Sequence, residues 1–344
     1  MLARIHFTGP AHYRLLSAAQ LSQSVLEVST RRRLKGPRLP GWNWYVEVIT
    51  RLLQKQVRTA LELRNVVEAR RYLDSIAVSS SALAEVDVRK VFHKDFKGSW
   101  YSYKSTSPRV TLLYFHGGGY TFYPRAYDSF IAQLTLTAKS RTFALDYRLT
   151  PEHRFPAQLE DALNAYRWLQ EHEAKGRPLM LVGDSAGGHL ALALLLKLRQ
   201  LKLPMPALTI GLSPPTDFTA ETLGSETFDW ISRAALLKWR DWFCDPAQRS
   251  DPLVSPVRAD LRDLPPIYIQ AGEAEILYES IEGFVRRAQL QHADVVLESW
   301  EDMNHNFQVF GADAPQSVEA FRRIGEVIET RIQEPVEGGA LFAG

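Results

Sequence analysis

Apolar side chains recur at helical spacing from about residue 43 to 77. Val46, Ile49, Leu53, Val57, Ala60 and Leu61 form a stripe with Arg and Gln between them, which predicts helix. Ser79-Ser80-Ser81 then marks a loop. From about residue 86 the texture changes to short apolar runs alternating with helical patterns. The runs Val110–Phe115, Thr142–Asp146, Leu179–Val182, Leu208–Leu212, Ile267–Gln270 and Val295–Ser299 read as strands. Ala157–Glu173, Ala186–Leu201, 278–291 and 316–333 read as helices. Strands alternating with helices predict βαβ units, hence an α/β fold with a parallel sheet covered on both faces. Residues 216–256 are rich in Trp, Phe and Thr, break the alternation and read as an insertion. The tail from Glu334 reads as loose. There is no internal repeat and no low-complexity tract.

Composition narrows the class. The 344 residues carry 41 Lys+Arg and 39 Asp+Glu, a formal charge of +2, and 45% are hydrophobic. Such a chain is too apolar to be disordered and too near neutral to be a general nucleic-acid binder. Its single cysteine, Cys244, excludes an internal disulfide, and no CxxC pair offers a zinc site. The first residues lack the continuous apolar run of an export signal, and Leu190–Leu198 is too short to span a bilayer. A cytoplasmic location without membrane insertion is therefore expected. The basic cluster Arg31, Arg32, Arg33, Lys35 and Arg38 reads as a solvated linker before Pro37 and Pro40.

Two glycine-rich segments carry chemistry. Gly183-Asp184-Ser185-Ala186-Gly187 follows one predicted strand and opens the next helix, the context a nucleophile elbow requires. The turn is so tight that residues two before and two after the serine cannot be bulky. A glycine-rich turn with a capping serine is the structural alternative. His116-Gly117-Gly118-Gly119-Tyr120 also follows a strand. Successive glycines let backbone N–H groups turn toward a ligand, as acyl transfer needs at a developing oxyanion. The Ala186 amide can add a donor. Neither phosphate-loop frame fits.

A serine nucleophile needs a base. Of nine histidines, His305 alone stands in a loop between the last predicted strand and the last helix, outside the other motifs. Loops at the carboxyl ends of strands are where α/β proteins keep their sites. The orienting acid should follow Ile267–Gln270, and Glu273, Glu275 and Glu279 are the candidates. Spacing does not choose among them. Cys244 lies outside any elbow-like turn, which favours the serine as nucleophile.

HGGGY at 116–120, DYRLTPEHRFPA at 146–157, GDSAGG at 183–188, Gly272-x-x-Glu275-x-Leu277 and His305-x-Phe307 together resemble the hormone-sensitive-lipase-like family of α/β-hydrolases, the bacterial carboxylesterase branch. The resemblance spans roughly 85 to 330. It implies an α/β-hydrolase fold with an eight-stranded, mostly parallel sheet flanked by helices. Residues 86–333 would form the catalytic domain, and residues 1–85 with the insertion near 216–256 would form a helical cap. The nucleophile then falls on Ser185, the base on His305 and the acid on Glu275, a position more often Asp. The oxyanion hole falls on Gly118, Gly119 and Ala186, with Gly117 as the turn that aims them. Tyr120 stands where the family often has Phe or Trp.

The function implied is hydrolysis of a small-molecule ester with a short-to-medium acyl group, with no metal or organic cofactor. An amidase or arylacetamide-type deacetylase could use the same residues. A non-catalytic receptor, of the kind plant gibberellin receptors represent, would lack the histidine that this chain keeps at 305. Tyr120, Asp184, Phe218 and Trp230 are candidates for substrate contact. The aromatic residues of the cap, among them Trp42, Trp239 and Phe243, either line a pocket or glue the cap to the core. A homodimer through an edge strand or the C-terminal helix is a further expectation.

Overall fold

A computed structural model describes residues 5–105, 107–173, 176–221 and 223–333. The tail predicted to be loose from Glu334 lies outside these residues. The sheet is built from β3 (Val86–Phe92), β4 (Lys97–Tyr103), β5 (Val110–Phe115), β6 (Ser140–Leu145), β7 (Leu179–Asp184), β8 (Thr209–Leu212), β9 (Ile267–Gly272) and β10 (Val295–Trp300). A separate antiparallel pair joins β1 (Ile5–Phe7) to β2 (Ile76–Val78). The order in the eight-stranded sheet is β10-β9-β8-β7-β5-β6-β4-β3. Pairing is parallel from β10 through β6, and antiparallel where β4 meets β6 and β3 meets β4.

Every residue of β5 and β7 is buried, as central strands covered on both faces should be. Ten helices flank or precede the sheet among the described residues: α1 (Ala11–Lys35), α2 (Trp44–Glu62), α3 (Val66–Leu73), α4 (Ser81–Ala84), α5 (Tyr127–Thr137), α6 (Ala157–His172), α7 (Ala186–Gln200), α8 (Arg233–Phe243), α9 (Tyr278–Leu290) and α10 (Pro315–Gln333). α7 is apolar nearly all round and buried along most of its length, the signature of a core helix. None of the described helices is long and apolar enough to cross a membrane.

The strands and helices expected from residue 110 onward are present to within two residues at each end. The N-terminal part differs. The helical stretch expected over 43–77 is two helices and a strand. Asn65 breaks it by capping α3, its side chain accepting the Glu68 amide. The basic cluster is not a solvated linker: Arg31, Arg32, Arg33 and Lys35 form the last turns of α1. Arg31 and Arg32 both bind the buried Glu47 of α2, Arg31 at 3.1 Å and Arg32 at 2.5 Å. Positive side chains at a helix C-terminus also suit its dipole.

The N-terminal segment reaches across the chain to the loop after β10. The Gly41 amide donates to Asp302 Oδ2 at 2.7 Å, and the Trp42 indole N–H donates to the Asp302 carbonyl. Trp42 and Val46 pack with Met303, Phe307 and Phe310 in a satellite core. Trp42 is 2% exposed. Trp42→Ala is expected to cost about 3–5 kcal/mol, the usual price of emptying a buried tryptophan site. Urea unfolding followed by fluorescence measures it; a loss under about 1 kcal/mol would show that this contact does not hold the loop.

Candidate active site

The elbow is sterically forced. A Cβ on Gly183 would sit 2.2 Å from the Gly187 carbonyl oxygen, and one on Gly187 would sit 2.0 Å from the Phe115 carbonyl oxygen. Only glycine fits either position. Between them Ser185 adopts φ 50° and ψ −121°, a strained conformation of the kind kept at functional sites. Its hydroxyl does not cap α7, which removes the capping alternative. Instead Ser185 Oγ lies 2.8 Å from His305 Nε2.

On the other side of the ring, His305 Nδ1 faces Glu275 Oε1 at 3.7 Å, with both side chains fully buried. Neither atom has another hydrogen-bond partner. The gap exceeds a hydrogen bond by less than about 1 Å, and such contacts often tighten only when substrate binds. The other Glu275 oxygen is engaged: Oε2 accepts from Ser213 Oγ at 2.6 Å and from the Gly272 amide at 3.1 Å. Glu273 and Glu279 are exposed, so Glu275 alone of the three candidates meets the histidine. Burial by itself would lower the His305 pKa. Glu275 first, then Asp229 and Asp184, outweigh it and hold the ring above its ordinary value of 6.5.

The loops that carry Glu275 and His305 touch through backbone. A Cβ on Gly272 would lie 2.1 Å from the Met303 carbonyl oxygen, and the Ala274 amide donates to that carbonyl at 2.9 Å. Ser213 ties the two loops at a second point, since its Oγ also accepts the Asn306 amide at 3.1 Å. Nothing in the sequence pattern singled out Ser213; it is an ordinary serine after a strand, and only its place beside β9 gives it a role.

At the glycine loop, Gly118 and Gly119 take φ 104° and φ 60°. The Gly117 amide is occupied by Asp184 Oδ1 at 3.0 Å, so Gly117 braces the loop and offers no free N–H. Among the described residues the amides of Gly118, Gly119 and Ala186 make no hydrogen bond. The indole of Trp239 packs on the loop so closely that a Cβ on Gly119 would sit 2.5 Å from it. His116 is buried between Tyr123 and Tyr147, stacked at 3.7 and 4.1 Å. Burial pushes its pKa down to about 3, so it is a neutral structural ring.

The substrate-contact candidates divide. Asp184 is fully buried and accepts from Tyr114, Tyr127, Asn306 and Gly117; it is a strut joining β5, α5, the glycine loop and the loop that carries His305. Tyr120 is 2% exposed, with its hydroxyl on His189. Phe218 packs on His189 and Phe243. Trp230 keeps partial exposure beside His305, with ring centroids 5.5 Å apart. Trp42, Trp239 and Phe243 are buried within the hydrophobic clusters, which makes them packing residues.

Residues 112–309 match a family described as alpha/beta hydrolase fold. An acetyl-hydrolase of Streptomyces hygroscopicus is 33% identical over 229 residues, covering 65% of this chain and 77% of that one. An esterase of Acinetobacter venetianus is 28% identical over 293 residues, covering 83% and 96%. The crystal structure of an esterase from the bacterial hormone-sensitive lipase family superposes with a TM-score of 0.72 at 30% identity, covering 82% of this chain and 98% of that one.

Ser213→Ala strips one of the two donors from a buried carboxylate oxygen. The expected loss is about 1–3 kcal/mol of stability, together with a fall in ester turnover at unchanged KM. Urea unfolding and steady-state kinetics on the same variant check it; wild-type values in both would refute the bridging role.

Proposed function

The chain belongs to the alpha/beta hydrolase fold family, in its hormone-sensitive-lipase-like branch, and is a carboxylic ester hydrolase; on that premise we propose that Ser185, His305 and Glu275 carry the reaction. The observation that supports this most is the 2.8 Å contact between Ser185 Oγ and His305 Nε2 at a strained strand-to-helix turn.

In the first step Ser185 Oγ attacks the ester carbonyl carbon while His305 Nε2 takes its proton. The carbonyl oxygen becomes an oxyanion, received by the free amides of Gly118, Gly119 and Ala186. Glu275 faces Nδ1 and stabilises the imidazolium that forms. Collapse breaks the bond to the alcohol, which leaves with the proton from His305. Water, deprotonated by the same ring, then attacks the acyl-enzyme, and the second collapse returns Ser185 and frees the acid. Glu differs from Asp here by one methylene, and Ser213 and the Gly272 amide hold the longer side chain.

Residues 1–85 and the insertion near 216–256 act in this reading as a cap over the catalytic unit 86–333. Support comes from contacts between the two: Arg38 donates to the Thr227 carbonyl at 2.8 Å and Lys238 to the Leu61 carbonyl at 3.1 Å. The substrate proposed is a small ester with a short acyl group, in line with the acetyl-hydrolase relative and with Trp239 pressed on the glycine loop.

Ser185→Ala should abolish turnover of p-nitrophenyl acetate and butyrate while the thermal midpoint stays near wild type. Glu275→Gln should slow both far more than Glu273→Gln or Glu279→Gln; equal losses would refute the choice of acid. His305 must be neutral to accept a proton, and its pKa is raised. The acid limb of kcat/KM is therefore expected to have its midpoint above pH 6.5, with activity lost as pH falls through it. A midpoint well below 6.5 would contradict the environment described for His305.

A further inference from the structure

The insertion carries a buried carboxylate that the mechanism has not used. Asp229 is 2% exposed. Its Oδ2 accepts the Ile276 amide at 2.8 Å, the N–H directly after Glu275. Its Oδ1 accepts the Trp230 amide at 2.7 Å. The turn it closes grips the base loop too. The Trp230 indole N–H donates to the His305 carbonyl at 2.6 Å, and the Phe228 carbonyl accepts from the Asn304 side chain at 3.3 Å. From α2, Gln54 Nε2 donates to the Asp229 carbonyl at 2.7 Å.

A neutral Asn or Ser would cap this turn as well. A carboxylate buried near Glu275 is unfavourable unless a positive charge is to be met. The cationic group that acts most strongly on the Asp229 carboxyl is His305. Two acids around one base favour an arrangement in which the base is protonated.

We propose that Asp229 is a positioning residue for hydrolysis: it fixes Glu275 through the Ile276 amide and supplies a second negative charge to the His305 imidazolium. The proposal rests on the reading of His305 as the base. Burial pushes the Asp229 carboxyl up to about 6, with Glu275 adding to the rise and His305 opposing it, so the charge is present where the enzyme works above that pH. The ionisable groups acting on His305 are Glu275, Asp229 and Asp184. Removing one of them lowers the pKa of the ring.

Asp229→Asn and Asp229→Ser each keep an oxygen for the turn and remove the charge. In either, kcat for p-nitrophenyl acetate should fall by about tenfold with KM held, and the acid limb of kcat/KM should move down by about one pH unit. Trp230→Phe removes the indole donor without changing charge and should leave the limb in place. A purely structural role would lower the amplitude without moving the limb. An unmoved limb in a folded neutral variant overturns the proposal. So does failure of both neutral variants to fold, which would make Asp229 a folding residue. His305→Ala, run in parallel, separates the premises: activity retained there would refute the base assignment itself, whatever Asp229 does.

Discussion

Phe115 ends β5 with its carbonyl pressed against Gly187, where a Cβ would lie 2.0 Å away. That backbone contact sets the spacing of everything above it. It seats the start of α7 directly against the strand that leads into the glycine loop, so the free amide of Ala186 and those of Gly118 and Gly119 share one edge of the sheet. A larger residue at 187 would push the elbow away from the loop. The strain at Ser185 is held because the flanking strand and helix are themselves fully packed.

A second layer of polar contacts converts five separate strand ends into one site. Asp184 draws together the glycine loop and Asn306; Ser213 draws together Glu275 and Asn306; Asp229 holds the Ile276 amide beside Glu275, and Trp230 holds the His305 carbonyl. Asp184, Ser213 and Asp229 are buried and hydrogen-bonded, and in a low-dielectric setting such links are rigid because the alternative is an unsatisfied polar group. The chemistry therefore sits on loops, yet the loops have little freedom.

Much of this was legible in the amino-acid pattern. Buried central strands such as Val110–Phe115 read as continuous apolar runs, and glycines required by sterics sit at fixed offsets from the serine. Other parts left no such trace. The buried face of α1 is Tyr13, Ser17, Gln20, Ser24 and Val28, spaced as a helix but too polar for a hydrophobic stripe. The edge strand β3 sets Asp87, Arg89 and Lys90 among its valines and is mostly exposed, so it shows no continuous apolar run. Ser213 and Asp229 acquire their parts only through neighbours about 60 and 50 residues away in the chain, at a distance no local period encodes. The choice among Glu273, Glu275 and Glu279 likewise needed the direction in which each side chain leaves its turn.

The bond from Gly41 to Asp302 joins residues 261 positions apart. Contacts of that span form late, because a long loop must close before they give anything back. During synthesis Ser185 and the glycine loop emerge well before the segment that carries His305, while α2 waits with its apolar face open. Assembly of a working site thus marks the completion of the whole fold rather than of any part of it. Under the proposed mechanism hydrolytic activity becomes a direct readout of full folding, and a chain stopped short of residue 305 would carry Ser185 without the imidazole that contacts it.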